Sequence, residues 1–383
     1  MPDLAARLAA RRSQRLYRER QVLAGAQGVE VRVANDTLLS FCSNDYLGLA
    51  NDKRVVSALC EGAKRYGVGS GASHLITGHS LSHHALEEEL ADFVGTPRAL
   101  VFSTGYMANL GIVTTLTDRH SVVLEDKLNH ASLIDAARLS QAQTKRYPHA
   151  DMDRLTTLLA HTGGDKLIVS DAVFSMDGDL APLHTLLDLA RRHRAWLLTD
   201  DAHGIGVFGP EGRGSWASQD RAIESPIILM GTLGKAFGVF GAFVAGSEAL
   251  IETLIQEART YIYTTALPPA VAEATRVSLK IVRSETWRRE RLYALIAQFL
   301  DGAKQLGLRL VASNTPIQPV ILGRTDAALG ASRALRELGI LVPAIRPPTV
   351  PADTARLRIT FSAAHEPAHI DRLLDALSHL PDV

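Results

Sequence analysis

The sequence predicts an α/β protein in which a large region with a mostly parallel central sheet is followed by a smaller α/β region. Two observations predict this fold. Short apolar or β-branched runs alternate with longer helical patterns, which is typical of parallel strands joined by crossover helices. No Gly/Ser linker separates the two regions, so they are expected to pack tightly. We expect an N-terminal helix with short strands over residues 1–45, the large domain over 46–285 and the small domain over 286–383.

Each element follows from its local pattern. The first twenty residues hold six arginines and leucines near helical spacing. Because Ser13 is their only serine, they predict an amphipathic helix of the mature protein rather than a transit peptide. The expected strands of the large sheet span residues 99–102, 121–124, 167–170, 196–199, 227–230 and 241–245, with a helix over 82–94 among the elements between them. In the small region we expect a helical stretch over 269–307, strands over 317–322 and 355–361, and helices over 326–338 and 367–380.

Composition and charge argue against several classes of protein. The chain has 41 basic and 41 acidic side chains and 46% hydrophobic residues, so no overall charge favours nucleic acid or an anionic membrane. The apolar stretch 226–246 contains Lys235 and five glycines, which favours a buried strand and turn over a membrane helix. Two cysteines, Cys42 and Cys60, form neither a disulfide framework nor a zinc pattern, and they indicate a cytoplasmic location.

Three motifs suggest other chemistries, and their contexts argue against each. Gly204 to Gly209 reads G-x-G-x-x-G, but Pro210 and further glycines follow, so no helix is expected there to bind a dinucleotide. Gly234-Lys235 lacks the other residues of a nucleotide-binding phosphate loop. His83 and His84 resemble metal ligands, yet adjacent histidines face different sides of a helix, and we interpret them as a solvated helix start with no metal.

The most informative feature is a pair of motifs at predicted strand ends. Asp200-Asp-Ala-His203 follows one strand and Thr232-Leu-Gly-Lys235 follows another, where ligands bind in open α/β sheets. A lysine in an apolar, glycine-rich setting has a lowered pKa suited to Schiff-base chemistry. A carboxylate on the neighbouring strand can keep a pyridinium nitrogen protonated. Together these residues predict a pyridoxal phosphate site, although each alone could be a surface lysine, a cap or a turn histidine.

Two further segments fit that cofactor. Ser103-Thr-Gly105-Tyr106 follows a strand and opens a helix, so the N–H groups of Gly105 and Tyr106 can bind a phosphate. Asn129-His130-Ala-Ser follows another strand, and the His130 imidazole could stack on a flat ring or simply cap the next helix.

With these motifs, nearly the whole chain resembles the α-oxoamine synthases, which are fold-type-I pyridoxal phosphate enzymes. The resemblance rests on several segments: Ser43-Asn-Asp-Tyr-Leu-Gly-Leu49, Gly69-Ser-Gly-Ala-Ser73, Asn129-His-Ala-Ser-Leu133, Val173-Phe-Ser-Met-Asp-Gly-Asp179, Asp200-Asp-Ala-His-Gly204, Gly231-Thr-Leu-Gly-Lys235 and Ala344-Ile-Arg-Pro-Pro-Thr-Val-Pro351. It implies a decarboxylative condensation of an amino acid with an acyl thioester. The last segment points to L-alanine and a pimeloyl thioester, bound to CoA or to an acyl carrier protein.

The resemblance also implies a role for each matching residue. Lys235 would bind the cofactor covalently, Asp200 would pair with its ring nitrogen, and His130 would stack on the ring as a further catalytic residue. His203 and Ser175 would lie near the phenolic oxygen or the substrate carbonyl. Gly105, Tyr106 and Thr232 would bind the cofactor phosphate, and Thr264 or Thr265 would join them across a homodimer interface. Arg346 with Asn44 would bind the amino-acid carboxylate. Arg18 with Thr349 would contact the acyl substrate. Tyr106 stands where some relatives have phenylalanine.

Two other functions remain open from the sequence. The same scaffold serves glycine C-acetyltransferases and serine palmitoyltransferases, which use glycine or serine. A pyridoxal phosphate-binding regulator without catalysis is the alternative from another class, and the intact set of Lys235, Asp200 and His203 argues against it.

Overall fold

A seven-stranded sheet forms the centre of the protein in a computed structural model, which describes residues 2–219 and 222–380. The strands of the described chain are β1 (Glu30–Val33), β2 (Asp36–Ser40), β3 (Arg98–Phe102), β4 (Val122–Asp126), β5 (Gln143–Tyr147), β6 (Lys166–Asp171), β7 (Trp196–Asp200), β8 (Ile227–Thr232), β9 (Ala242–Gly246), β10 (Ile317–Gly323), β11 (Ile340–Leu341), β12 (Ala344–Ile345) and β13 (Ala355–Thr360). The helices are α1 (Leu4–Ser13), α2 (Lys53–Tyr66), α3 (Leu81–Val94), α4 (Gly105–Leu116), α5 (Ala131–Leu139), α6 (Met152–Ala160), α7 (Leu183–Arg192), α8 (Glu248–Glu257), α9 (Arg259–Ile262), α10 (Pro269–Ser284), α11 (Thr286–Gln305), α12 (Thr325–Glu337) and α13 (Pro367–Ser378).

The central sheet has the strand order β3-β9-β8-β7-β6-β4-β5. Strands β5, β4, β6, β7 and β8 pair in parallel, while β9 runs antiparallel to both of its neighbours. A short turn rather than a crossover helix joins β8 to β9, which explains the reversed direction. The predicted mostly parallel sheet is therefore confirmed, and the carboxyl ends of β4, β6, β7 and β8 share one edge.

Helices cover both faces of this sheet because its strands are apolar on both sides. One face packs against α4, α5 and α8 through residues such as Ile112, Leu133 and Leu254. The other packs against α3, α6, α7 and α10, and that core continues into the small region. All six predicted strands are confirmed. The polar edge strand β5 was not predicted, because Gln143 to Arg146 lack the apolar pattern of a strand.

The small region contains two three-stranded sheets, and one of them includes the N-terminal strands. β10, β13 and β12 pair antiparallel, and β11 pairs in parallel with β2. The predicted helical stretch 269–307 is two helices, α10 and α11, which meet at Glu285. Residues 339–345, before Arg346, contain the two short strands β11 and β12. None of the helices in the described ranges is long and apolar enough to cross a membrane.

The interpretation of His83 as part of a solvated helix start is wrong, whereas His84 is exposed as expected. His83 is 0% exposed because it forms a capping box at the start of α3. Its Nδ1 accepts from the N–H of Ser80 at 3.0 Å, and its Nε2 lies 2.5 Å from the carbonyl oxygen of Leu267. The run Gly204 to Gly209 forms turns without a following α-helix, as predicted.

Candidate active site

The candidate catalytic residues lie along the edge where β6, β7 and β8 end. Asp171 ends β6 and Asp200 ends β7, and the two residues are paired in register. β8 ends at Thr232, and Lys235 lies in the turn that leads to β9. Because parallel strands end at one edge, the sheet brings together acidic and basic groups from separate parts of the chain.

A tight turn holds Lys235 in place. The N–H of Leu233 donates to the oxygen of Gly241 at 2.9 Å, and the N–H of Gly238 donates to the oxygen of Lys235 at 2.8 Å. Gly238 has a φ of +65°, and a Cβ at this position would lie 2.3 Å from the backbone nitrogen of Ala50. Only glycine fits there, so the turn packs directly on the chain at Ala50.

The Lys235 amine is set for chemistry by its surroundings. Burial lowers its pKa to about 8, because the charged ammonium loses water, while the carboxylates of Asp200 and Asp171 oppose this shift. Its Nζ lies 2.9 Å from Nε2 of His203. A substantial fraction of the amine is therefore neutral near physiological pH, the state that can attack a carbonyl carbon.

Asp200 is a buried carboxylate whose hydrogen-bond donors are both neutral. It is 5% exposed and accepts from Nδ2 of Asn109 at 2.8 Å and from the N–H of Ala202 at 3.0 Å. Burial and the neighbouring Asp200 charge raise the pKa of Asp171 well above its ordinary value. A protonated ring nitrogen placed at this acidic edge would supply the positive charge that the site favours.

His203 links the lysine to a buried tyrosine. Its Nδ1 lies 2.6 Å from the hydroxyl of Tyr46 and its Nε2 faces Lys235. Burial, together with the positive charges of Lys235 and Arg358, lowers the pKa of His203 well below its ordinary value. The imidazole is therefore neutral and carries one proton that it can share with either partner.

His130 lies beside the same edge, and part of the residue is accessible to solvent. Its backbone N–H donates to Asp171 at 2.6 Å, and its Nδ1 lies 2.7 Å from the hydroxyl of Ser132 at the start of α5. The capping contact that the sequence left open is thus present. Partial loss of water around the ring lowers the pKa of His130 despite the charge of Asp200, so its imidazole is neutral near pH 7.

The predicted phosphate ligands lie at two neighbouring segments. Gly105 and Tyr106 begin α4, so their N–H groups have no acceptor within the helix. The side chain of Tyr106 turns away to the carboxylate of Asp135, which leaves only its backbone for a ligand. Thr232 accepts from the N–H of Gly234 at 3.3 Å. The predicted role of Thr264 and Thr265, which lie between α9 and α10, stays a prediction.

A cavity of about 1200 Å³ lies between the N-terminal segment and the small region and reaches Gly234 and Gly238 in the turn that carries Lys235, although Lys235, Asp200 and His203 do not line it. Its lining includes Asn44, Gly234 and the predicted substrate residues Arg18, Arg346 and Thr349. Arg18 donates to the hydroxyl of Thr349 at 3.3 Å, so the two residues assigned to the acyl substrate do meet. The cavity is large enough for a substrate of several carbons.

Arg346 and Arg358 have different partners. Arg346 donates to the backbone oxygens of Arg15 at 2.7 Å and Tyr17 at 3.0 Å, so it holds the N-terminal segment. Its predicted role in binding the amino-acid carboxylate stays a prediction. Arg358 is 6% exposed and donates to the oxygen of Ser175 at 2.6 Å and to Oδ1 of Asn44 at 3.4 Å.

Four site residues were not selected from the sequence: Tyr46, Asn109, Asp171 and Arg358. Arg358 lies in β13, a strand that alternates arginines with apolar residues and whose residues are all buried. The signal for Asp171 was an acidic residue at the end of a buried strand. Tyr46 stands inside a quoted motif, whereas Asn109, in the middle of α4, carries no local signal.

Comparison with known proteins agrees with this geometry. Residues 36–377 match the family described as aminotransferase class I and II. An 8-amino-7-oxononanoate synthase from Stutzerimonas stutzeri is 59% identical over 376 residues, covering 98% of this chain and 96% of that protein. One from Thioalkalivibrio sulfidiphilus is 58% identical over 379 residues, covering 98% and 97%.

Solved structures have the same fold. A serine palmitoyltransferase from S. paucimobilis with bound PLP-myriocin has a TM-score of 0.92 and 32% identity, covering 98% of this chain and 96% of that chain. An 8-amino-7-oxononanoate synthase from Francisella tularensis has a TM-score of 0.79 and 34% identity, covering 89% and 97%. The predicted fold-type-I architecture is therefore confirmed.

Proposed function

Because the chain belongs to the aminotransferase class I and II family, and within it to the 8-amino-7-oxononanoate synthases, we propose that it condenses L-alanine with a pimeloyl thioester. The products are 8-amino-7-oxononanoate, CO₂ and a free thiol, and the reaction serves biotin biosynthesis. The chain is thus a pyridoxal phosphate-dependent acyltransferase. The single observation in the structure that carries this proposal is Lys235, whose amine lies 2.9 Å from Nε2 of His203 and is influenced by the Asp200 charge, in a turn whose Gly234 and Gly238 line a cavity large enough for the acyl chain.

The residues at the sheet edge fit pyridoxal phosphate. Lys235 would bind its aldehyde carbon, Asp200 its ring nitrogen and the first turn of α4 its phosphate, while His130 would cover a ring face. Among the described residues the buried carboxylate of Asp200 accepts hydrogen bonds from two neutral amides, which favours a positively charged ring nitrogen beside it. When bound, the cofactor supplies an electron sink for the negative charge that develops at the substrate Cα.

The protein's own residues then move protons and hold substrate groups. The Lys235 amine, with a pKa of about 8, is matched to take the Cα proton of alanine and later to return one. The neutral His203 orients the Lys235 amine and is itself held by Tyr46. The alanine carbon bonds to the thioester carbonyl, the thiol leaves, and the carboxylate departs as CO₂.

The carboxylate of alanine needs a cationic partner before it leaves. Arg346 is the residue that the motif assigns to this role, and Arg358 is the buried guanidinium nearest to Asn44 and Ser175. Arginine suits the role because its planar donors bind both carboxylate oxygens. Arg18 and Thr349 would contact the acyl chain in the cavity. We further infer a cytoplasmic homodimer in which Thr264 or Thr265 completes the partner's phosphate site.

The test is direct identification of the product. The purified protein, supplied with pyridoxal phosphate, L-alanine and a panel of acyl thioesters, should release thiol and form a product with the mass of 8-amino-7-oxononanoate. Lys235→Ala is the matched control and should form none. Faster turnover of glycine or serine would assign another α-oxoamine synthase activity, and no thiol release with any pair would favour a non-catalytic regulator.

A further inference from the structure

Two imidazoles and a carboxylate meet at the start of α3, among residues that the proposed reaction does not use. His79 precedes the helix, and His84 and Glu87 lie three positions apart on it, so these two share one helix face. One potential ligand atom from each of the three residues lies within 4.8 Å of the other two. The three donor atoms are therefore close enough to contact one small ion.

The spacing of these atoms fits a divalent transition metal ion. Nε2 of His79 lies 3.9 Å from Oε2 of Glu87. Zinc binds nitrogen and carboxylate oxygen at about 2.1 Å, so two ligands of a tetrahedral zinc ion lie about 3.4 Å apart. A side-chain shift of about half an ångström would close the difference. Imidazole ligands favour zinc, nickel and copper, whereas Mg²⁺ and Ca²⁺ prefer oxygen ligands alone.

Outer hydrogen bonds hold two of the ligands in place. Nδ1 of His79 lies 3.0 Å from Nδ1 of His74. Burial lowers the pKa of His79 and lowers that of His74 to about 3, so both imidazoles are neutral at pH 7. When His79 donates its Nδ1 proton to His74, the lone pair of its Nε2 is available on the side of Glu87. Oε1 of Glu87 accepts from the N–H of Val101 at 2.9 Å, and contacts of this kind typically orient metal ligands.

The carboxyl group of Glu87 is buried next to an imidazole. Its side chain is 12% exposed, and no arginine or lysine of the described ranges forms an ion pair with it. Burial raises the pKa of Glu87 to about 8, because the charged carboxylate loses water. A divalent cation would supply the missing positive charge, and its binding near pH 7 would release the proton. His84 is 64% exposed, so an ion can enter from solvent.

His83 belongs to the framework of this cluster and not to the ligands. Its Nδ1 accepts from the N–H of Ser80, and its Nε2 lies against the carbonyl oxygen of Leu267, so both ring nitrogens are occupied. Adjacent His83 and His84 face different sides of α3, and the two alone do not form a metal site. The second imidazole comes from His79, which lies outside the helix.

We propose that His79, His84 and Glu87 form a surface site for a divalent metal ion of the zinc type. This inference does not depend on the proposed function. The bound ion would fix His79 to α3. His79 contacts His74, whose ring stacks on Tyr261 of α9 with ring centres 4.8 Å apart. The ion would therefore strengthen the link between α3 and α9 and stabilise the folded state, because it binds only there.

Zinc binding to the untagged protein, loaded with pyridoxal phosphate, tests the site. Isothermal titration with ZnCl₂ should show saturable binding, and the thermal midpoint of unfolding should rise with zinc. His84→Ala changes an exposed side chain and should weaken binding tenfold or more. Glu87→Gln keeps an acceptor for the N–H of Val101 and should do the same. Both variants should lose most of the thermal shift. His184→Ala, at an exposed position of α7, is the matched control and should bind zinc like the unmodified protein.

Other outcomes overturn the proposal. Unmodified protein that binds no zinc, or variants His84→Ala and Glu87→Gln that bind it unchanged, would remove the site. An equal loss in His184→Ala would mean nonspecific binding to surface histidines. A loss in Glu87→Gln but not in His84→Ala would overturn this set of ligands. If Glu87→Gln unfolds at a lower temperature without metal, His84→Ala alone decides, because its side chain is exposed and its removal leaves the packing of α3 intact.

Discussion

The lowered pKa of Lys235 makes a quantitative prediction about how the protein captures its cofactor. Only a neutral amine attacks an aldehyde. At pH 7 an amine with the ordinary pKa of 10.5 is neutral in about 0.03% of molecules, whereas a pKa of about 8 leaves about 9% neutral. Lys235 should therefore react with pyridoxal phosphate about 300-fold faster at pH 7 than an equally accessible ordinary lysine.

Stopped-flow absorbance on cofactor-free protein provides the assay. The rate should rise with pH and level off with a midpoint near 8. Lys235→Ala should show no such absorbance change. In Asp200→Asn the midpoint should move lower still, because the carboxylate of Asp200 favours the ammonium and its removal lowers the pKa of Lys235 further. A rate that keeps rising tenfold per pH unit up to pH 10 would refute the reasoning.

Further predictions concern the adjacent Asp200 and Asp201, the arginines Arg346 and Arg358, and His149. Asp200→Asn should keep its fold and lose at least tenfold in kcat, about 1.4 kcal/mol. The side chain of Asp201 instead accepts hydrogen bonds from Ser215. The Asp201→Asn variant should therefore mainly lose stability, by about 1–3 kcal/mol in denaturant unfolding. Equal losses of kcat in Asp200→Asn and Asp201→Asn would contradict this difference in roles. Arg346→Lys and Arg358→Lys are each expected to raise the alanine concentration for half-saturation tenfold or more, and a rise in only one variant assigns the carboxylate to that arginine. Hydrogen bonds to Asp126 and Asp179 raise the pKa of His149 to about 10. Its contribution to the free energy of unfolding is therefore complete below pH 6.5 and is lost as the pH rises towards 10. A His149→Gln variant should lack this decline in stability at alkaline pH, and an unchanged decline would show that His149 is not its cause.

Local pattern was sufficient for most of the large sheet. The predicted strands were recognised because their residues are buried on both faces and hence continuously apolar. β5 was missed because it lies at the sheet edge, where Gln143 and Thr144 face solvent. The sequence predicts an exposed His83 because polar residues near a helix start usually face solvent, yet tertiary packing buries this side chain against Leu267.

The residues of the candidate site likewise differ in whether a local sequence pattern identifies them. Lys235, Asp200 and His203 could be selected together because each lies just after a buried strand, and parallel strands bring such positions to one edge. Arg358 could not be selected in this way, because its contact with Ser175 joins positions 183 residues apart in the chain. Likewise, Asn109 reaches Asp200 from within α4 across 91 residues. Contacts of this kind depend on how whole elements pack, which a local pattern does not specify.

The contact between Arg358 and Ser175 joins the two regions of one continuous core, so the site draws its groups from both sides of Glu285. Cutting the chain at Glu285, between α10 and α11, leaves Lys235, Asp200 and His203 in one fragment. The other fragment carries Arg346 and Arg358. Neither fragment holds a whole substrate site, so turnover requires that the two reassociate.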